Sequence, residues 1–228
     1  MEDSRVKKHF EEEAKEYDDI ILRLIPGYRQ MVDVLVSLLT YEKSQPFQVI
    51  DLGCGTGTIS RAVKDKFPNI RLTCVDISKN MLAIASAKNG AETRLIEADF
   101  NTFVFPGKYD AVVSSLALHH LETESDKLNF YKAIFAAMNP GGIFVNIDVV
   151  QSDDSNLQEI YMQKWKEFML QTTSLSEVEE KWLPNYYAED HPISLVKHLD
   201  MLRDTGFSAV DVAYKYYNYA VYAAKKGI

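Results

Sequence analysis

Cysteine is scarce in this 228-residue chain: Cys54 and Cys74 are the only two. Two thiols make no disulfide framework and cannot by themselves hold a metal. His9, His191 and His198 have no metal-ligand company in a ligating pattern, so no metal is expected. Basic residues are outnumbered: 25 Lys and Arg face 33 Asp and Glu, a formal net charge of −8. A protein that grips a phosphate backbone presents a basic surface, so nucleic acid is not an expected partner. No apolar run approaches the ~18 residues of a membrane span, and the N-terminal stretch MEDSRVKKHFEEEAKEYDD has no apolar signal core. No membrane partner is expected, and the cytoplasm is the expected location. Repeats and low-complexity tracts are missing too.

What is present is an ordinary globular composition, 46% hydrophobic and 25% charged, in a length suited to one α/β domain with an added cap. Val6, Phe10, Ala14 and Tyr17 recur at helical spacing and predict a surface helix over 4–18. A second helix is expected from Pro26 to about Tyr41. Short apolar runs then alternate with helical segments. Strands are expected at 47–52, 70–75, 93–98, 109–114 and 143–150, with helices between them and a turn at 139–142. Such alternation with near-continuous apolar strands means a parallel sheet covered on both faces. Beyond residue 150 the pattern breaks. Aromatic-rich helices at 155–171 and 174–183 suggest a cap, and a helix over 193–204 ends at Gly206. Two strands near 210–217 and 219–224 read as a hairpin extending the sheet antiparallel.

The strongest local signal is Val49-Ile50-Asp51-Leu52-Gly53-Cys54-Gly55-Thr56-Gly57, a strand running into a glycine-rich turn that opens a helix. The next strand ends at Asp76, 19 residues after Gly57, where a carboxylate can accept hydrogen bonds from both ribose hydroxyls of an adenosine ligand. The spacing is G-x-G-x-G rather than the dinucleotide pattern G-x-G-x-x-G. Asp51, two residues before the first glycine, would repel a pyrophosphate and attract a cationic amino-acid group. The expected ligand is therefore adenosine carrying a zwitterion or a sulfonium.

On these residues the chain resembles the class I S-adenosylmethionine (SAM) methyltransferases, whose first motif is close to D-L-G-C-G-T-G. The resemblance implies a Rossmann-like, doubly wound seven-stranded α/β sheet of order 3-2-1-4-5-7-6, with the last strand pair antiparallel and a helical lid. It implies a single methyltransferase domain over 1–228: an N-terminal lid at 1–40, a SAM-binding core at 46–150, a cap insertion at 151–200 and a C-terminal hairpin at 207–225. SAM is the implied cofactor and S-adenosylhomocysteine its product, with a small-molecule methyl acceptor as partner; a homodimer is left open. By the same resemblance Gly53, Cys54 and Gly55 contact the methionine portion, and Asp76 with Ile77 holds ribose and adenine. Met81 packs on the adenine, Asp99-Phe100 binds its edge, and Ser115 faces the methionine moiety. His119 and His120 follow the fourth strand, where an imidazole can deprotonate the acceptor, and are the candidate catalytic residues.

Ile25-Pro26-Gly27-Tyr28 and Tyr217-Asn218-Tyr219 also resemble the carboxy-SAM synthases, a branch of that superfamily. In that branch the P-G-Y tyrosine reaches the SAM site, which makes Tyr28 a candidate lid contact. The branch also places an arginine in a K-R-S segment of the cap, where this chain has Lys181-Trp182-Leu183. Losing that guanidinium removes the bidentate partner of a ligand carboxylate, so ordinary methyl transfer is the favoured expectation. A carboxy-SAM synthase-like activity and a non-catalytic SAM-binding module are the alternatives.

Overall fold

A computed structural model describes residues 5–228; the expectation for residues 1–4 of the N-terminal lid lies outside the described residues. Strands β1 (Gln48–Leu52), β2 (Arg71–Asp76), β3 (Arg94–Glu97), β4 (Tyr109–Ser115) and β5 (Met138–Val149) run parallel, while β6 (Ala209–Tyr216) and β7 (Tyr219–Lys225) form an antiparallel hairpin. The sheet order is β3-β2-β1-β4-β5-β7-β6, with β7 antiparallel to β5, as the resemblance implied.

Central strands are buried on both sides, which is why they read as unbroken apolar runs rather than as alternation. On one face Val49, Cys74, Val113 and Val145 pack under α3 (Tyr28–Leu38) and α4 (Thr58–Lys66). On the other, Ile50, Val75, Val112 and Phe144 meet α6 (Glu124–Ala137) and α10 (Leu195–Thr205). Local chemistry starts these helices. Ser78 Oγ accepts from Met81 N at 3.1 Å ahead of α5 (Lys79–Asn89). Thr123 and Asp126 close a reciprocal capping box ahead of α6. Gly206 ends α10 in the left-handed conformation, as expected.

Three expectations need correction. The single helix over 4–18 is two, α1 (Arg5–Glu13) and α2 (Tyr17–Leu24), and the turn between them buries Ala14. The helix expected from Pro26 starts at Tyr28, because Gly27 sits at φ +69° and a Cβ there would lie 2.6 Å from Tyr214 Oη. Residues 139–142 are a bulge inside β5 rather than a turn before it: Met138 pairs with Tyr109, and Ile143 already pairs with Ala111.

The cap comprises α7 (Ser155–Met169), the short α8 (Leu175–Glu177), a π-helical turn (Val178–Trp182) and α9 (Leu183–Glu189). Trp165 Nε1 donates to Leu24 O at 2.8 Å and ties α7 to α2. His9 of α1 meets Glu13 through Nε2 (3.0 Å) and Glu189 of α9 through Nδ1 (2.5 Å), so both ring nitrogens face carboxylates. Hydrogen bonds to Glu13 and Glu189 push its pKa from 6.5 up to about 9. The docked form therefore holds the proton more tightly than the free helix. Glu13 belongs to α1 itself, so only the Glu189 share of the shift is linked to docking, and that share of the hold on α1 fades as pH rises through about 9. Amide exchange across Arg5–Glu13, corrected for intrinsic rate, is expected to accelerate between pH 6 and 9.5. A His9→Gln protein should show fast exchange at both pH values; an unchanged pattern there refutes the tie.

Candidate active site

Parallel strands deliver all their carboxyl ends to one edge of the sheet, where the loops after β1, β2 and β4 converge. The loop after β1 carries Gly53, Gly55 and Gly57 at φ +66°, +52° and +81°. At Gly53 a Cβ would sit 2.2 Å from Ala117 Cβ, so no side chain fits between this loop and the chain following β4. Asp76 fixes the loop from the neighbouring strand: Oδ2 accepts from Gly55 N (2.8 Å) and Oδ1 from Ser78 N (2.9 Å). Burial pushes the Asp76 pKa up to about 6, with these backbone N–H groups pulling the other way. Each carboxylate oxygen keeps a lone pair for a further donor.

Around this loop lies a cleft enclosing about 820 Å³ of free space, its open mouth included. Gly53, Gly55, Asp76 and Ile77 line it, together with Met81, Asp99 and Phe100. Seven of the expected cofactor residues are thus brought together. Asp99 Oδ1 accepts from the backbone and side chain of Asn101 (2.9 and 3.0 Å), forming a turn at the rim. The other four expected residues stand elsewhere. Cys54 is buried in the core, donating its backbone N–H to Val75 O at 2.9 Å. Asp51 lies fully buried beneath the loop; Oδ2 accepts from Ser60 N (3.1 Å) and Oγ (2.6 Å), while Oδ1 has no partner. Burial raises its pKa to about 7. Ser115 Oγ is buried beside the Tyr28 phenol. Tyr28 lines a separate groove with Asp18 and Arg29, and burial pushes its phenol up to about 12, tempered by the nearby Ser115 hydroxyl.

A second cleft, about 710 Å³, opens beside the first, and the two share Phe10, Tyr17, Leu116 and His120. His119 and Asp190 face only the second. Both histidines ride a short 3₁₀ turn (Leu118–His120) after β4, whose carbonyls are gathered by the buried Lys127: its ammonium donates to Leu118 O (3.4 Å), His119 O (3.3 Å) and Leu121 O. His119 Nδ1 lies 2.6 Å from Asp148 Oδ1 on β5, and Nε2 points toward Asp190 Oδ1 at 3.5 Å. Burial alone would depress the His119 pKa, but the Asp190 and Asp148 carboxylates outweigh it and hold it above the ordinary value. His120 differs. Nδ1 lies 3.0 Å from Glu189 O and so carries the proton donated there, and burial with the neighbouring His119 lowers its pKa to about 3. It is a neutral wall between the clefts. Ligand-type atoms of His119, His120 and Asp190 lie within 4.8 Å of one another, but the proton on His120 Nδ1 denies that nitrogen to a metal.

Asp148 is held in turn by a buried polar seam. Oδ2 accepts from Asn146 Nδ2 (3.0 Å), which also reaches Tyr222 Oη (2.7 Å); Tyr222 and Tyr131 hydroxyls lie 3.0 Å apart, and Tyr131 Oη is 2.7 Å from His198 Nδ1. Reading the sequence missed Asp148, Asp190, Phe10 and Tyr17 as site residues. Asp148 did leave a signal, an acid in the apolar run Ile143-Phe144-Val145-Asn146-Ile147-Asp148-Val149, which burial permits only with a partner.

Residues 49–142 match a family model described as a methyltransferase domain. A carboxy-S-adenosyl-L-methionine synthase of Campylobacter hominis is 28% identical, covering 98% of this chain and 97% of its own. A protein of the same name from Helicobacter hepaticus is 29% identical, covering 97% and 96%. Among solved structures, the DhpI–SAH complex aligns with a TM-score of 0.67 at 16% identity over 96% of this chain and 94% of its own. Human N-acetylserotonin methyltransferase in complex with SAM aligns at 0.63 and 17% identity over 97% and 57%. The family match begins on β1 just ahead of the glycine turn and ends in the β5 bulge, so the segment that resembles a methyltransferase domain is the one that carries the first cleft's glycine turn and Asp76, within a sheet of the order the resemblance implied.

Proposed function

We propose that this protein transfers a methyl group from SAM, held in the first cleft, to a small molecule held in the second. The wall shared by the two clefts carries this reading, because it brings two ligands together at Leu116 and His120 beside the ends of β4 and β5. The chain's own residues fit the cofactor. The unpartnered Asp51 Oδ1 and the Ser115 hydroxyl suit the cationic and polar amino-acid end, and the glycine turn leaves room for close backbone approach. Asp76 accepts from the ribose hydroxyls, while Met81 and Phe100 supply apolar cover for the adenine. When bound, SAM supplies a methyl already activated on a sulfonium. What remains for the protein is to position the acceptor and take its proton. His119 Nε2 faces the second cleft and accepts that proton, with Asp148 fixing the tautomer and steadying the imidazolium. The described part of the lid, 5–40, and the cap at 151–200 bring Phe10, Trp165, Trp182 and Tyr186 over the second cleft and exclude water.

The full-length match to carboxy-SAM synthases favours a second reading, in which the enzyme modifies SAM itself. The cap weighs against it. Trp182 stands where that family places its arginine, its indole donating to Glu177 Oε1 at 3.0 Å, and Lys181 is tied to Glu13 at 2.7 Å. Asp190, which no lysine or arginine among the described lining residues answers, would face an added carboxylate and repel it. Mass spectrometry separates the readings: S-adenosylhomocysteine released with an acceptor panel supports methyl transfer, and a carboxylated SAM supports the other. Tight SAM binding with neither product points to a non-catalytic module.

Asp76→Ala should weaken SAM binding about 10–150-fold for each charge-assisted hydrogen bond lost, measured by calorimetry. An unchanged affinity removes Asp76 from the site. His119→Ala should lower turnover ~10²–10⁴-fold with SAM affinity nearly unchanged, while His120→Ala costs far less in turnover. Facing Asp148, Asp190, His120 and Lys127, His119 titrates above 6.5. The wild-type rate should therefore climb with pH through a value above 6.5, and that limb should vanish in the variant. A limb that survives in His119→Ala assigns the proton to another group.

A further inference from the structure

The charges around the second cleft are not evenly matched. Among the described residues that line it are three carboxylates, Glu13, Glu189 and Asp190, and neither lysine nor arginine. Glu13 is answered by His9 and by Lys181 from outside the cleft, Glu189 by His9, and the buried Asp148 behind them by His119. Asp190 is answered by nothing so close. Its Oδ1 lies 3.5 Å from both His119 Nε2 and His120 Nδ1, beyond hydrogen-bond range, and the His120 proton is already given to Glu189 O. Asp190 follows α9 directly, so the cap itself carries this carboxylate to the edge of the cleft. The remaining walls are aromatic, with Trp165, Tyr186 and Tyr219 ring-to-ring and Trp182 beside them. A carboxylate with no hydrogen-bonded cation among the described residues, facing only the His119 and His120 rings at 3.5 Å and set among indole and phenol faces, suits an ammonium. A phenolate or carboxylate acceptor would meet the Asp190 carboxylate there, with no lysine or arginine among the described lining residues to offset it.

Building on the methyl-transfer reading above, we propose that the acceptor is a small amine on an apolar body, and that Asp190 binds its ammonium. The ammonium donates to Asp190 while its apolar body covers the aromatic walls. Before transfer it gives one proton to neutral His119 Nε2, which leaves a lone pair on nitrogen. That pair forms the bond to the methyl carbon as the methyl–sulfur bond breaks, its electrons passing to sulfur. The products are an N-methylammonium and a neutral thioether, and the proton on His119 returns to solvent. Asp190 thus selects the charged form, and His119, within reach of the same site, makes it nucleophilic.

The test uses the full chain saturated with S-adenosylhomocysteine, whose own binding is first measured by calorimetry. Phenethylamine, 2-phenylethanol and phenylacetate are then titrated, read by the fluorescence of Trp165 and Trp182. The amine should bind about tenfold or more tighter than the isosteric alcohol, and phenylacetate weakest of all. Asp190→Asn should erase the preference for amine over alcohol while S-adenosylhomocysteine affinity stays within about twofold. Equal or tighter binding of the alcohol, an amine preference that survives Asp190→Asn, or no binding of the amine overturns the assignment. If S-adenosylhomocysteine binds but the amine does not, only the acceptor class falls. If S-adenosylhomocysteine itself fails to bind, the methyl-transfer reading falls with it.

Discussion

Three aspartates buried at the carboxyl ends of β1, β2 and β5 hold the working edge of this molecule, and among the described residues no lysine or arginine is hydrogen-bonded to any of them. Asp51 grips the first turn of α4 through Ser60, Asp76 joins the glycine turn to the start of α5, and Asp148 orients His119. Burying carboxylates is costly, and burial holds Asp51 and Asp76 well above the ordinary range, at about 7 and 6. The return is positional. Each acid is satisfied by groups belonging to the loop it fixes, so these loops are set by the sheet before any ligand arrives.

Behind Asp148 the same logic extends through β5 and β7 to α6 and α10. The Asn146, Tyr222, Tyr131 and His198 seam carries few charges, since burial lowers the His198 pKa to about 4 and keeps it neutral. A hydrogen-bonded seam of neutral groups can orient a carboxylate without competing for its charge. Lys127 plays the matching part on the other side of His119 by gathering the carbonyls of the turn. The histidine is thus braced from two directions by residues that touch neither cleft's contents.

The glycine turn and Asp76 were legible because their requirements are local. A left-handed backbone with no room for a Cβ demands glycine, and a fixed helix length sets the distance to the next strand's terminal acid. The parallel core was legible for a similar reason, since strands covered on both faces leave continuous apolar runs. Cys54 stands between two glycines of the turn, with its side chain buried in the core. The acceptor side was largely illegible. His119 and Asp148 meet only because β4 and β5 are neighbours, and Asp190 joins them only through the path of the cap. Phe10 and Tyr17 read as the apolar stripe of a surface helix. What that stripe covers is a tertiary fact that periodicity does not carry.

Helix α1 sits over both clefts at once: Val6 and Phe10 line the first, and His9 and Phe10 the second. Whatever lifts this helix unroofs both ligands together. On the methyl-transfer reading, one gate then governs both compartments, and exchange of spent cofactor is tied to product escape. Such an arrangement favours a ternary complex assembled and dismantled as a unit. It also couples the enzyme's cycling rate to the hold that Glu13 and Glu189 keep on one imidazolium, some distance from the bond being made.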